Sequence, residues 1–335
     1  MHLIVMTDAA QGCGAPDAPR DPAPQDREAL IERWSPLMLR LTPAWAISED
    51  PDALHTLAEC AAGHLMLGRA LIAAEDGRLP LAAWNAMRKG QEPRWPCARL
   101  TPFHGLVGSD RITLVPPGEL QLQVQESREL FTAVKPLYES EGVDIQWQGP
   151  LEWQLAHESL RGLPCASRVR AEGDSVQRWQ GRTPLAAARL LRRLQNEAQM
   201  VLHEHPVNHR RAERGALTVN SLWLDHAGAL GDLGGEPRDA RLSQALKALH
   251  AYPLTQANTA LQAWVDAALG PTPAGAVDPT LVLCGRQAAQ AFTMRRVPAG
   301  WRGVFERTLR RPPRTRALKD WLRALDAAPA QQGPA

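Results

Sequence analysis

The stretch His203-Glu204-His205-Pro206-Val207-Asn208-His209-Arg210-Arg211 is the densest run of side chains able to do chemistry. Its imidazoles are metal ligands by type. Their spacing opposes that use. Pro206 breaks any helix between the second and third histidines, and no cysteine or carboxylate completes a tetrahedral set. The same run also reads as a helix C-terminus, where basic side chains favour the negative end of the dipole. Asp225-His226 is the one Asp-His pair, and it follows the apolar run Asn220 to Leu224. A strand ending there would present ligands of the kind two-metal phosphotransferases use. Cys284 closes the run Thr280 to Cys284 and precedes Gly285 and Arg286. The carboxyl end of a strand lines the ligand crevice of an α/β sheet, and a nearby arginine lowers a thiol pKa. As a bland alternative, Cys284 is a small buried hydrophobe. Arg307, Arg310, Arg311, Arg314 and Arg316 form a basic run, but Pro312 and Pro313 interrupt it and no aromatic ladder accompanies it. That favours a solvated turn over a nucleic-acid surface.

These residues need elements to position them. Leu3 to Thr7 reads as a first strand, followed by Asp8 and a Pro/Ala/Gly-rich loop, Ala9 to Gln25. Helical patterning runs from Arg27 to Leu39. Asp50-Pro51 reads as N-cap and first residue of a helix through Leu54, Leu57, Ala58, Ala61 and Leu65. Another helix covers Leu79 to Arg88. The texture changes near Arg94. Strands are expected at Arg111 to Val115, at Leu120 to Gln125, at Val143 to Trp147 and through Leu151, Trp153 and Leu155, with a helix from Ser127 to Ser140. This middle part reads as a small α+β unit with an antiparallel sheet wet on one face. Thr183-Pro184 opens a helix whose apolar stripe is Leu190, Leu191, Leu194, Ala198, Val201 and Leu202; His205-Pro206 ends it. Two helices follow, near Asp239 to Ala251 and Gln256 to Leu269. The buried strand Thr280 to Cys284 then turns at Gly285 into a further helix, and Arg314 to Ala327 forms the last one. The pattern predicts an α/β core, 1–93 and 183–327, interrupted by a smaller α+β domain, 94–182, with a loose tail at 328–335.

Composition sets the limits. The chain has 335 residues, 44% hydrophobic and 22% charged, which excludes disordered, collagen-like and coiled-coil classes. A formal charge of +2 gives no polyanion footprint. The five cysteines are scattered and never form C-x-x-C, which speaks for a reducing cytoplasm over a disulfide framework or zinc ribbon. No apolar run is long enough for a membrane helix, and the start has no signal-peptide pattern. Dinucleotide, Walker, nucleophile-elbow and zincin motifs are absent.

One block is recognisable: His205-Pro206-Val207-Asn208-x-x-Arg211-x-x-x-Gly215-x-x-x-Val219-Asn220-x-x-x-Leu224. Supporting stretches are Cys97 to His104 with Asp110-Arg111, Leu191 to Glu197, and Val219 to Trp223. The block resembles that of the archaeal-type cofactor-independent phosphoglycerate mutases. It is closer still to their divergent bacterial relatives, the RpfE-type regulatory proteins, and the likeness covers Pro96 to Gly228. The resemblance implies an alkaline-phosphatase-like α/β core with an inserted substrate-handling domain. It also implies a metal-bound serine nucleophile and Asp/His ligands to two divalent ions. The chain departs from that pattern. Asp8 stands where a first-strand ligand belongs, but no serine loop follows it. The late core strand ends in Cys284-Gly285-Arg286-Gln287 in place of Asp-His.

The expected function is therefore a cytoplasmic, catalytically degenerate, phosphoglycerate-mutase-like protein with a regulatory or phosphometabolite-binding role. His205, Asn208, Arg211 and Asn220 are its expected ligand contacts, or else pin a helix end and the turn after it. A phosphorylated small molecule is the expected partner. No metal ligand, cofactor, membrane, nucleic-acid or named protein partner belongs to this reading. The alternative is an active metal-dependent mutase or phosphatase using Asp8, Asp225 and His226. The third reading is an adaptor acting through the C-terminal arginines.

Overall fold

The structure, a computed structural model, describes residues 2–7, 26–67, 77–180, 185–232, 249–270, 279–294 and 317–327. In chain order the elements are β1 (His2–Met6), α1 (Arg27–Met38), β2 (Leu41–Ser48), α2 (Leu57–Leu67), α3 (Leu81–Arg88), β3 (Cys97–Val107), β4 (Ile112–Val115), α4 (Val124–Glu139), β5 (Asp144–Gly149) and β6 (Glu152–Ala156). They continue with α5 (Arg168–Ala171), α6 (Val176–Gln180), α7 (Leu185–His203), α8 (Pro206–Glu213), β7 (Ser221–Gly228), β8 (Leu249–Pro253), α9 (Asn258–Leu269), β9 (Thr280–Cys284), β10 (Ala288–Met294) and α10 (Leu318–Asp326). Contacts divide the chain into two units, one of 1–51, 57–68 and 247–335, the other of 52–56 and 69–246. These boundaries differ from the expected 93/94 and 182/183, because α3, α7, α8 and β7 pack with the antiparallel sheet.

The first unit is a five-stranded sheet in the order β2-β10-β9-β1-β8. β1 lies between two parallel neighbours, β8 and β9, and all five of its residues are buried. A continuous apolar run such as Leu3-Ile4-Val5-Met6 is what a strand covered on both faces requires. Leu3 and Val5 join Trp34 of α1, Trp264 of α9 and Leu322 of α10 on one face. Ile4 and Met6 meet Ala58, Ala61 and Ala62 of α2 on the other. Asp26 caps α1, its carboxylate accepting from Glu28 N–H at 2.9 Å.

The second unit is an antiparallel sheet, β4-β3-β6-β5, with β7 also paired to β3. Leu130, Val134 and Tyr138 of α4 and Leu191, Leu194, Ala198 and Leu202 of α7 pack with Ala98, Leu100, Ile145, Trp153 and Leu155 of the strands. The α7 stripe is thus the expected one. Further strand residues, Phe103, Leu114 and Trp223, are buried against Leu54, Ala166, Val176 and Trp179, so the sheet is not simply wet on one side.

Several local expectations change. Asp50-Pro51 starts no helix; α2 begins at Leu57. The carbonyls of Ala53 and Leu54 accept from Arg170 Nε and Ser167 N–H, which removes them from any helical ladder. Leu120 to Gln125 is no strand. A 3-10 turn at Pro117–Leu120 leads through Gln121 at φ +47° into α4, where Glu126 accepts from the Gln123 N–H at 3.1 Å. Gly285 leads into β10 and not a helix, because Ala289, Ala291 and Phe292 are buried in a hairpin with β9. Residues 249–251 of the expected Asp239 to Ala251 helix belong to β8; the rest lie outside the described residues, as do the Ala9 to Gln25 loop and Thr183-Pro184. No helix among the described residues is long and apolar enough to cross a membrane.

Candidate functional site

The recognisable block folds as α8, the turn after it and the start of β7. His205-Pro206 ends α7 and also opens α8: His205 is the N-cap, its Nδ1 accepting from the Val207 N–H at 3.2 Å, and Pro206 takes the first helical position. Burial lowers the His205 pKa, which favours the neutral, accepting ring. Asn208 is buried. Its Nδ2 donates to Leu202 O and to Val219 O, both at 2.7 Å, and its Oδ1 accepts from Val219 N–H at 2.8 Å. It thereby caps a carbonyl in the last turn of α7 and holds the strand entry with one amide.

Arg211 is 0% exposed. Its Nε donates to Leu217 O at 2.7 Å, one terminal nitrogen to Leu120 O, and the other to Glu126 at 2.5 Å. Glu126 also accepts from Arg214 at 2.6 Å. Burial raises the Glu126 pKa, but the Gln123 N–H, Arg214 and Arg211 outweigh it and leave the carboxyl below its ordinary range. Asn220 accepts from Gly105 N–H at 2.7 Å and donates to Gly105 O at 3.0 Å. The four expected ligand residues therefore share one unit, and each binds protein. For Asn208 and Arg211, burial and those bonds make a latch joining α4, α7, α8 and the entry to β7.

Asp225 lies on β7 with Arg99 opposite on β3. Arg99 Nε donates to Oδ1 at 2.9 Å, Nη2 to Oδ2 at 2.7 Å, and the Arg168 N–H reaches Oδ2 at 2.8 Å. Burial raises the Asp225 pKa; the Arg99 guanidinium overrides that and holds it below the ordinary range. Arg99, which the sequence offers only inside a resembling stretch, is the residue that decides how Asp225 is used. The β3–β7 register shifts between Cys97 and Arg99, so that β7 carries an extra residue, and His226 within it sits at φ +58°. Its ring lies 6.1 Å, centroid to centroid, from that of His55, whose Nε2 accepts from Leu79 N–H at 3.2 Å.

In the first unit, Cys284 is fully buried at the carboxyl end of β9. The next residues offer no carboxylate or imidazole. Gly285 is pressed against Leu325 of α10, and the Asp326 carboxylate accepts from Thr7 Oγ1 at 2.7 Å and from Arg286 N–H at 2.9 Å. These residues do not fit the Asp-His ligand pair that the resemblance implies for this strand end. Asp8, Cys13 and Arg307, Arg310, Arg311, Arg314 and Arg316 lie outside the described residues.

The fold and the latch define a mixed α/β protein of two units. No family model matches the chain. No curated protein matches it either. Among solved structures it is similar to a cofactor-independent phosphoglycerate mutase from Thermoplasma acidophilum DSM 1728, at 13% identity over 88% of this chain and 89% of that one, with a TM-score of 0.34. It is also similar to a protein of Pyrococcus horikoshii, at 14% identity over 88% of this chain and 87% of that one, with a TM-score of 0.38.

Proposed function

We propose that the chain is a cytoplasmic, phosphoglycerate-mutase-like protein that binds a phosphorylated small molecule without transferring its phosphoryl group, and so serves regulation. The core is of the alkaline-phosphatase type and the second unit is its insertion. The His205 to Leu224 block supports the family reading. The observation that carries the loss of catalysis is the carboxyl end of β9, where a buried thiol, a glycine against Leu325 and the α10 terminus stand in place of metal ligands. Two-metal phosphoryl transfer depends on the ions to stabilise the transferring charge, so a site without its ligands loses turnover while arginines and lysines still attract phosphate.

The test uses one purified sample with manganese, magnesium or zinc. Binding of 3-phosphoglycerate is followed by calorimetry, and conversion to 2-phosphoglycerate by a coupled assay. Binding with no metal-dependent turnover is the expected result. Metal-dependent turnover above background overturns the proposal in favour of an active metal-dependent mutase or phosphatase.

A further inference from the structure

A small cleft, open to solvent, lies between α3 and the sheet of the second unit. The latch residues take no part in it. Ala82, Asn85, Ala86 and Lys89 fall at i, i+3, i+4 and i+7, one face of α3, and this face lines the cleft. Two alanines on that face, with Ala98 of β3 opposite, leave room where larger side chains would have filled it. Asn85 and Lys89 supply an amide and an ammonium on the helix side; Arg99, Glu152, Gln154 and His226 supply polar groups on the sheet side.

We infer that this cleft is a binding site for a small hydroxylated anion, a phosphate or carboxylate ester or acid, held by Lys89 and Arg99. The inference rests on the phosphometabolite reading above and places its ligand. Three features carry it. Lys89 and Glu152 pair at 3.2 Å with side chains 37% and 34% exposed, and a pair that exposed holds its partners weakly, so Lys89 turns readily to a ligand anion. Glu152, released, accepts a ligand hydroxyl. Arg99 is fixed in place by the buried Asp225, so its guanidinium is ordered before anything binds. The extra residue of β7 holds His226 in a left-handed conformation at the cleft wall, an arrangement that costs free energy and concentrates at functional sites.

The experiment is calorimetric titration of the full chain with 3-phosphoglycerate and, separately, inorganic phosphate. The proteins compared are wild type, Lys89→Met, Asn85→Leu and, as a distant control, Lys135→Met. Losing one charge-assisted bond should weaken 3-phosphoglycerate binding roughly tenfold in Lys89→Met, with Lys135→Met unchanged. Amide shifts of residues 85, 89 and 154 in the wild-type protein, followed by NMR in the same titration, give a reading that needs no variant. Equal affinity in all four proteins, or shifts confined to other residues, overturns this cleft and leaves the wider reading standing. A wild type that binds neither probe overturns both.

Discussion

Arg99 grips Asp225 across the β3–β7 pair with two parallel bonds, Nε to Oδ1 at 2.9 Å and Nη2 to Oδ2 at 2.7 Å. The carboxylate is 0% exposed and the guanidinium 17%. Removing one partner leaves a buried charge without its counter-ion, so Arg99→Met should cost about 3–5 kcal/mol in urea unfolding. Arg99→Met combined with Asp225→Leu should recover part of that loss. The pH dependence has a definite sign. The folded carboxyl titrates below its unfolded value of about 3.9, so the pair stabilises fully above that pH and is lost as pH falls through the folded value. Asp225→Asn should flatten the acid limb of the stability curve. An unchanged acid limb would show that Asp225 is not ionised in the fold.

Asn208 is buried and joins the end of α7 to the start of β7 through three bonds. Asn208→Ala leaves Val219 N–H and two carbonyls to be satisfied elsewhere, at a cost of about 2–4 kcal/mol. Asn208→Asp is the sharper variant. It keeps an acceptor for Val219 N–H but turns a second acceptor on Leu202 O and Val219 O, and it should be no more stable than the alanine variant. Thermal unfolding of the two side by side decides this, and an Asp variant as stable as wild type would show that the amide's donors are dispensable.

The same residues show how much was legible in the sequence. The resemblance picks out His205, Asn208, Arg211 and Asn220, and all four lie in one unit, each with its own protein partners. Spacing alone does not say that Arg211 is turned inward onto Leu120, Glu126 and Leu217, because Glu126 is 85 positions away in the chain. β1, α1, α7 and β9 were legible because their apolar periods are long or continuous. β3 was not: its alternation is lost at Pro102-Phe103, and the strand is assembled by pairing with β4, the next strand in the chain, and with β6 and β7, both distant in sequence. Leu120 and Leu122 alternate as a strand would, yet both pack on the core beside a turn, so tertiary packing overrode the local period. Arg99 was hidden for the same reason as its strand, and with it the state of Asp225.

His205 gives a cap that responds to pH. Its Nδ1 accepts from the Val207 N–H, and a protonated ring cannot accept. Its folded pKa is lowered by burial. The cap is therefore fully present above the unfolded pKa of about 6.5 and is lost as pH falls through the folded value. The loss should be about 0.5–2 kcal/mol, the usual worth of an N-cap. His205→Ser keeps an acceptor at every pH, so its stability relative to wild type should rise on acidification from pH 7 to pH 5. NMR titration of the Val207 amide checks the same point without a substitution: its shift should follow the His205 ring. A Val207 amide that ignores that titration would remove His205 from the cap.

Gly285 tests the sealed strand end on which the proposed loss of catalysis rests. A Cβ built there falls 2.6 Å from the carbonyl carbon, the carbonyl oxygen and the Cβ of Leu325. Leu325 has little freedom to withdraw. Its carbonyl accepts from Gln287 N–H at 2.8 Å, its side chain is buried against the sheet, and the adjoining Asp326 is tied to Thr7 and Arg286. Gly285→Ala should therefore destabilise the first unit by about 1–3 kcal/mol, the usual cost of overpacking. Gly118→Ala, where an added Cβ meets nothing within 4 Å, is the control and should lie within about 0.5 kcal/mol of wild type. Equal stability of the two variants would mean that α10 does not press on the end of β9. The strand end would then have room for a ligand, and the argument that catalysis is lost there would fail with it.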